Sequence, residues 1–161
     1  MSAEPEKKAA GNMAELPIPR AASPVHVVGT RGVFYSIHQG GKALKKHRGA
    51  WVIELKNGKR ATLRSAGWVP GFQKLYLDGE LIYSFGLEAP LAAKILSFLP
   101  LGLIALNSLV GGILGIVLVF YNLYTIKNPD FPNRVKVILP VLNTIAGVLV
   151  VIVITGSGNA S

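Results

Sequence analysis

The fold is decided by Ile95-Leu-Ser-Phe-Leu-Pro-Leu-Gly-Leu-Ile-Ala-Leu-Asn-Ser-Leu-Val-Gly-Gly-Ile-Leu-Gly-Ile-Val-Leu-Val-Phe-Tyr-Asn-Leu-Tyr-Thr-Ile126, a stretch of 32 residues without a charge. As one helix it would measure about 48 Å, whereas a hydrocarbon core of about 30 Å needs only about 20 residues. The excess predicts one transmembrane helix over residues 101–124. An interfacial segment over residues 87–100 would precede it, with Pro100 near the membrane boundary.

A second apolar run, residues 137–155, follows after a short polar connector. A helix of this length would measure about 28 Å and suits a second transmembrane helix. The connector over residues 125–136 contains Pro129 and Pro132, each beside an Asn or Asp, as is typical of turns. These features predict a transmembrane hairpin, followed by a polar tail over residues 156–161.

The composition of the chain supports a membrane location. Half of its 161 residues are hydrophobic, 16% are charged and the mean hydropathy is +0.44, whereas soluble domains carry about 25% charged residues. The net charge is +9, and residues 1–94 hold 14 of the 17 Lys/Arg and 7 of the 8 Asp/Glu. The chain is therefore a basic polar part followed by an apolar part.

Short apolar runs separated by turn residues predict a small basic β domain over residues 25–86. Asn57-Gly58 and Asp78-Gly79 are typical of hairpin turns. A three-residue bulged loop at each turn pairs Trp51 with Leu63, and Leu75 with Leu81, and collects the apolar side chains on one face. Residues 1–24, rich in proline and polar residues, are predicted to be a disordered tail. The predicted fold class is an α+β membrane protein, with a small antiparallel β domain followed by a two-helix transmembrane hairpin.

The densest positive charge lies at Lys42, Lys45, Lys46 and Arg48. Anionic lipid head groups attract such residues by about 1 kcal/mol each, so these four are candidates for contact with anionic lipid or another polyanion. Phosphates of a nucleic acid are a second possible ligand. A solvated loop between strands is the third interpretation.

Small and polar residues in the apolar segments are candidates for helix packing. Gly111, Gly112 and Gly115 include the spacing that lets two helices approach closely, within the chain or between chains. Asn107 and Asn143 are predicted to be the most deeply placed polar residues, able to form hydrogen bonds across the hairpin or to a partner.

No motif in the sequence indicates catalytic chemistry. The chain has no cysteine, which excludes disulfides, thiol nucleophiles and thiolate metal sites, and its three histidines lack metal-ligand spacing. We therefore expect no enzyme, no catalytic or metal residues and no cofactor. The expected function is a membrane-anchored, non-enzymatic interaction or accessory subunit whose basic β domain acts at the membrane surface. Alternatives are a lipid-handling or transport accessory protein that binds anionic lipid, and a membrane-tethered nucleic-acid binder.

The expected partners are the lipid bilayer and either another membrane protein or further copies of this chain. Two passes would put both termini on one side of the membrane. Lys127, Arg134 and Lys136 favour a cytoplasmic connector by the positive-inside rule. Export of a basic segment of this size without a cleavable signal opposes that arrangement. We therefore predict an integral membrane protein with two passes and cytoplasmic termini.

Overall fold

The computed structural model describes residues 12–157. The chain divides into two compact units, Met1–Leu87 and Glu88–Ser161. The first is built from strands and the second from helices, so the predicted α+β class and the predicted antiparallel sheets are confirmed.

The β unit contains two antiparallel sheets of four strands each, and in both sheets the strands are neighbours in sequence order. The first sheet consists of β1 (Met13–Glu15), β2 (Val25–Val28), β3 (Ser36–Gln39) and β4 (Lys42–Ala43). The second sheet consists of β5 (Ala50–Glu54), β6 (Arg60–Ala66), β7 (Lys74–Leu77) and β8 (Glu80–Ser84). Short hairpin connections are what antiparallel neighbours require.

One hydrophobic core joins the two sheets of the β unit. Alternate residues of each strand point into it, because successive side chains of a strand face opposite sides. Its largest fully buried side chains are Ile37, Ile53, Leu63, Leu75 and Phe85. The side chain of Gln39 also links the sheets, since its amide donates to the carbonyl oxygen of Glu54 at 2.8 Å and accepts from the Glu54 N–H at 3.0 Å.

The predicted disordered tail differs from the structure after residue 11. β1 pairs with β2, and Ala14, Leu16 and Ala21 are buried in the core. The Leu16 N–H donates to the Val25 carbonyl oxygen at 2.8 Å. Prolines in this segment break helices but do not prevent an edge strand, which is why the composition was misleading. The earlier residues of the predicted tail lie outside the described part of the chain.

The register of the first predicted hairpin is correct, and that of the second is wrong. Trp51 lies opposite Leu63 and Ile53 opposite Ala61, as the bulged loop requires. In the second hairpin Leu75 lies opposite Tyr83, with the bulge at Leu75/Tyr76 and a two-residue turn at Asp78-Gly79. The Asp78 carboxylate accepts the Thr62 N–H at 2.8 Å, and the Asp78 N–H donates to the Thr62 carbonyl oxygen at 2.9 Å. These bonds to β6 hold Asp78 at φ 48° and fix the shorter turn.

Burial of Tyr83 in this core predicts late ionisation of its phenol. Desolvation raises the pKa of Tyr83 from 10.0 to about 12. The stabilisation from the neutral buried phenol is therefore complete below pH 10, and it is lost as the pH rises towards 12. We expect an absorbance titration of tyrosinate to show this late ionisation in the wild type and to lose it in Tyr83→Phe. A Tyr83 phenol that ionises together with exposed tyrosines would contradict the buried position.

The helical unit contains α1 (Leu91–Leu96), a 3-10 helix (Leu99–Ala105), α2 (Val110–Ile126) and α3 (Asn133–Ser157). Within residues 12–157 one helix, Asn133–Gly156, is long and apolar enough to cross a membrane, and only 17% of its apolar window is buried. It includes the predicted second span, residues 137–155. The segments Leu91–Ala105 and Val110–Ile126 are apolar but shorter.

The predicted first span, residues 101–124, is divided in the structure. The 3-10 helix ends at Ala105, and α2 begins at Val110. Pro100 stands at the start of the 3-10 helix, where its missing N–H costs little. The Asn107 side chain accepts the N–H groups of Leu109 at 3.1 Å and Val110 at 2.9 Å, which caps the new helix and starts it in a new direction.

The connector is also shorter than predicted. α2 continues to Ile126 and α3 begins at Asn133, so only residues 127–132 remain between them instead of residues 125–136. Pro140 lies inside α3, where the Thr144 hydroxyl donates to the Pro140 carbonyl oxygen at 2.7 Å. The last four residues of the predicted polar tail lie outside the described part of the chain.

Candidate membrane-embedded and basic surfaces

The uncharged stretch forms two antiparallel legs. The Asn122 side chain donates to the Ser97 carbonyl oxygen at 3.4 Å, and farther along α2 Gly115 lies against Pro100 and Gly111 against Leu103. Along these contacts the residue numbers rise from 97 to 103 on the first segment and fall from 122 to 111 on α2. Residues 91–105, the first leg, and α2, the second leg, therefore run in opposite directions. The tip of this helical hairpin lies at residues 106–109.

The predicted packing glycines serve this close approach. A Cβ at Gly111 would overlap with the Leu103 carbonyl oxygen, and one at Gly115 would lie 2.6 Å from the Pro100 carbonyl oxygen. A Cβ at Gly112 would meet only the Ile104 Cγ1 atom at 3.9 Å, which is an ordinary contact. Gly111 and Gly115 therefore contact the first leg, whereas Gly112 does not require the absence of a side chain.

Gly147 of α3 is a packing glycine that was not predicted from the sequence. Its added Cβ would lie 2.7 Å from Leu103 Cδ1 and 3.0 Å from Leu118 Cδ1. Gly147 therefore allows α3 to lie against both legs of the hairpin. A single glycine in a Val-rich run carries no spacing pattern that would have identified it.

A buried amide pair joins α2 to α3. The Asn143 side chain donates to Asn122 Oδ1 at 2.7 Å, and Asn122 is 0% exposed. Asn122 was not among the predicted site residues; it lies near the end of the predicted span over residues 101–124. Asn107, which was predicted to form hydrogen bonds between helices, instead accepts from the backbone of its own helix start.

Large apolar side chains are exposed on every segment of the helical unit. They include Leu91 and Ile95 of α1, Leu101 and Ile104 of the 3-10 helix, Ile113, Ile116 and Phe120 of α2, and Leu142, Ile145 and Leu149 of α3. A patch of this extent on a soluble monomer is rare. Such an exposed apolar surface is compatible with membrane association.

The charges of the helical unit lie at the end opposite the tip. Antiparallel legs place Lys94 beside the end of α2, where Lys127 begins the connector, and Arg134 and Lys136 follow in the first turn of α3. Burial lowers the pKa of Lys127 from 10.5 to about 8. Lys136 is only 4% exposed. This charged end therefore concentrates basic residues at one boundary of the apolar surface.

The predicted basic cluster of the β unit is divided by the fold. The Lys46 amine donates to Ser65 Oγ at 3.1 Å and lies 4.6 Å from the centre of the Trp51 ring, while Lys45 and Arg48 are exposed. Lys42 lies at the other end of β4 opposite Gln39. There it lines an open depression of about 610 Å³ together with Glu54 and Arg60.

Titratable side chains form no metal site in the described part of the chain. No group of three His, Asp or Glu residues within residues 12–157 could hold an ion. His38 lies 2.9 Å from the Ser36 hydroxyl, and His26 stands opposite it on β2.

Comparison of the chain with protein-family models, with curated proteins and with solved structures gives no match.

Proposed function

We propose that this protein is a membrane-anchored, non-enzymatic accessory or interaction protein that presents a basic β unit at one face of the bilayer. The observation that carries this proposal is the helical unit, which exposes apolar side chains on every segment and gathers its charges at one end. Helices satisfy their own backbone hydrogen bonds, so such a surface is stable in lipid.

The helical unit inserts as a hairpin and one crossing helix. α3 crosses the membrane, whereas residues 91–105 enter from the charged end and α2 returns to it. α2 has 17 residues, which corresponds to about 26 Å of helix against a core of about 30 Å. The tip at residues 106–109 therefore reaches deep towards the opposite boundary.

This proposed arrangement places the basic residues that gave opposing indications of sidedness at one end of the helical unit. Lys94, Lys127, Arg134 and Lys136 share one end, so the positive-inside rule favours a cytoplasmic location for that end. The β unit precedes Lys94 directly in the chain and is therefore cytoplasmic. We propose that the chain end after α3 lies on the other side, which is an alternative to the two-pass prediction with both termini in the cytoplasm.

A role in assembly fits the surface that remains. Outward-facing side chains of α2 include Ile113, Val117 and Phe120, while Gly111 and Gly115 pack against the first leg. We expect mild detergent extraction to give a particle larger than one chain, formed with another membrane protein or with further copies. A particle with the mass of one chain, with no associated protein, would oppose an accessory role.

Cysteine labelling tests the membrane topology, because the native chain contains no cysteine. We expect single variants Lys56→Cys and Asp130→Cys to react with a membrane-impermeant maleimide only after the cells are permeabilised. Ser161→Cys should react in intact cells. The wild type is the unlabelled control.

The labelling outcomes separate the two topologies. A two-pass hairpin would place Asp130→Cys on the side opposite Lys56→Cys, and Ser161→Cys on the same side as Lys56→Cys. Release of the chain from membranes by alkaline carbonate would oppose membrane embedding altogether.

A further inference from the structure

We propose that one end of the β unit is a docking surface for anionic lipid head groups. This surface, the exit end, consists of Phe34, Trp68, Lys45, Lys46 and Arg48, beside the point where the chain leaves the unit. The proposal rests on the proposed function, because it takes the membrane into which the helices insert as the ligand.

The register of the second sheet locates the chain exit. Ser84 at the end of β8 lies opposite Lys74, and the Phe85 N–H donates to the Gln73 carbonyl oxygen at 3.0 Å. Gln73 closes the loop that starts at Gly67 after β6, and a Cβ at Gly67 would lie 3.2 Å from the Gln73 Cα. The Trp68 loop therefore adjoins the exit.

Tyr35 brings the first sheet to the same place. Its ring centre lies 4.4 Å from that of Phe85 and 5.9 Å from that of Trp51, and its side chain is hydrogen-bonded to Ser65. Phe34 is the preceding residue in the chain. Lys46 also reaches Ser65, and Arg48 lies in the turn that precedes β5.

Two aromatic side chains at the exit end face outward. Trp68 is 92% exposed and Phe34 is 78% exposed, whereas Trp51 is 5% exposed. The Trp68 loop is a defined turn, since the Phe72 N–H donates to the Val69 carbonyl oxygen at 3.1 Å. Tryptophan is enriched at membrane–water interfaces, where its ring is apolar and its N–H remains hydrated.

The carboxylates of the second sheet lie away from the exit end. Lys45, Lys46 and Arg48 are exposed there, whereas Glu54, Asp78 and Glu80 lie at the opposite ends of their strands. Anionic head groups would therefore meet cations at the exit end without nearby carboxylates from these strands.

Chain length keeps the exit end close to the bilayer. Leu91, the first residue of the apolar helices, follows Phe85 by six residues, which span at most about 20 Å. A lipid surface is thus always within reach, whereas a nucleic acid would have to be recruited. This continuity favours lipid over nucleic acid as the ligand of the exit end.

Tryptophan fluorescence of the full chain in vesicles tests the proposal. The chain has two tryptophans, so the difference between wild type and Trp68→Phe isolates Trp68. In vesicles that mix phosphatidylcholine with phosphatidylglycerol, lipids brominated near the head group should quench Trp68 and leave Trp51 unquenched. Vesicles of phosphatidylcholine alone should give much weaker quenching.

Charge variants show whether the cations act at this surface. Lys45→Gln, Lys46→Gln and Arg48→Gln together should lower the ratio of docked to undocked β unit by roughly 100-fold. The matched control changes Lys56, Lys59 and Arg60 to Gln at the opposite end of the unit, removes the same charge and should leave quenching unchanged.

Three results would overturn the proposal. Trp68 could remain unquenched in wild type, or both triple variants could lose quenching equally, which would mean that net charge alone acts. Finally, RNA could protect Trp68 of the detergent-solubilised chain from quenching by acrylamide. If the exit-end triple variant lost this protection, a nucleic acid would be identified as the ligand. Failure of the proposed function is distinguished by flotation, since a chain that is not embedded is released from the vesicles by alkaline carbonate.

Discussion

Gly111→Ala is expected to destabilise the helical unit by about 2–3 kcal/mol, and to lower its unfolding temperature by roughly 10–20 °C. The new Cβ would overlap with the Leu103 carbonyl oxygen. A backbone atom cannot rotate away as a side chain can, so the two legs of the hairpin must separate. The loss would be measured by thermal unfolding of the full chain in mild detergent, followed by helical circular dichroism.

Gly112→Ala is the matched control for that substitution. It lies one residue away on the same helix, and its Cβ would meet only Ile104 Cγ1 at 3.9 Å. Because alanine is favoured over glycine in helix interiors by roughly 0.5–1 kcal/mol, this variant should be neutral or slightly stabilised. Gly115→Ala should resemble Gly111→Ala, since its Cβ would lie 2.6 Å from the Pro100 carbonyl oxygen. Equal effects at Gly111 and Gly112 would contradict the antiparallel legs.

The same contacts explain what the sequence could predict about the helices. Apolar length and the absence of charge identify the segments that form the helical unit, and α3 extends the predicted run of residues 137–155. Apolar length and the absence of charge do not reveal that residues 95–126 turn back on themselves, because both legs are equally apolar. Pro100 and Asn107 are the residues that make the break possible, yet each is also tolerated in a continuous membrane helix. The remaining indication of the turn was the length of residues 95–126, which exceeds what one membrane span needs.

Hairpin register shows a similar limit in the β unit. At Asn57-Gly58 the apolar pattern and the turn agree, so the pairing of Trp51 with Leu63 could be predicted from sequence. At Asp78-Gly79 the turn is fixed by hydrogen bonds to Thr62, on a neighbouring strand, and a local pattern does not contain that contact. The exposure of Leu81 follows from the resulting shift.

The candidate sites depended on contacts of the same long-range kind. Lys42 is close in sequence to Lys45, Lys46 and Arg48, but the hairpin of β3 and β4 carries it to the other end of the unit. Phe34 and Trp68 are far apart in sequence and approach the same end through Tyr35 and Ser65. Closeness in sequence therefore grouped Lys42 with lysines that lie elsewhere, and it did not indicate that Phe34 and Trp68 approach the same end.

Loss of either amide in the buried pair of α2 and α3 is expected to destabilise the helical unit by about 1–3 kcal/mol. Asn143 donates to Asn122 Oδ1 at 2.7 Å, and Asn122 also donates to the Ser97 carbonyl oxygen at 3.4 Å. Asn122→Leu leaves the Asn143 amide without this acceptor in an apolar interior, whereas the double Leu variant removes both polar groups. The double variant should therefore lose less stability than the sum of the two single variants.

A double-mutant cycle measures this coupling, with unfolding in detergent as the readout. We expect a coupling of about 1 kcal/mol, within the range found for hydrogen bonds between membrane helices. Asn107→Ala provides the control, because Asn107 caps its own helix and shares no partner with Asn143. That variant should lose about 1 kcal/mol and combine additively with Asn143→Leu. If instead Asn122 and Asn143 were additive, the amide pair would have no part in positioning α3 against the hairpin.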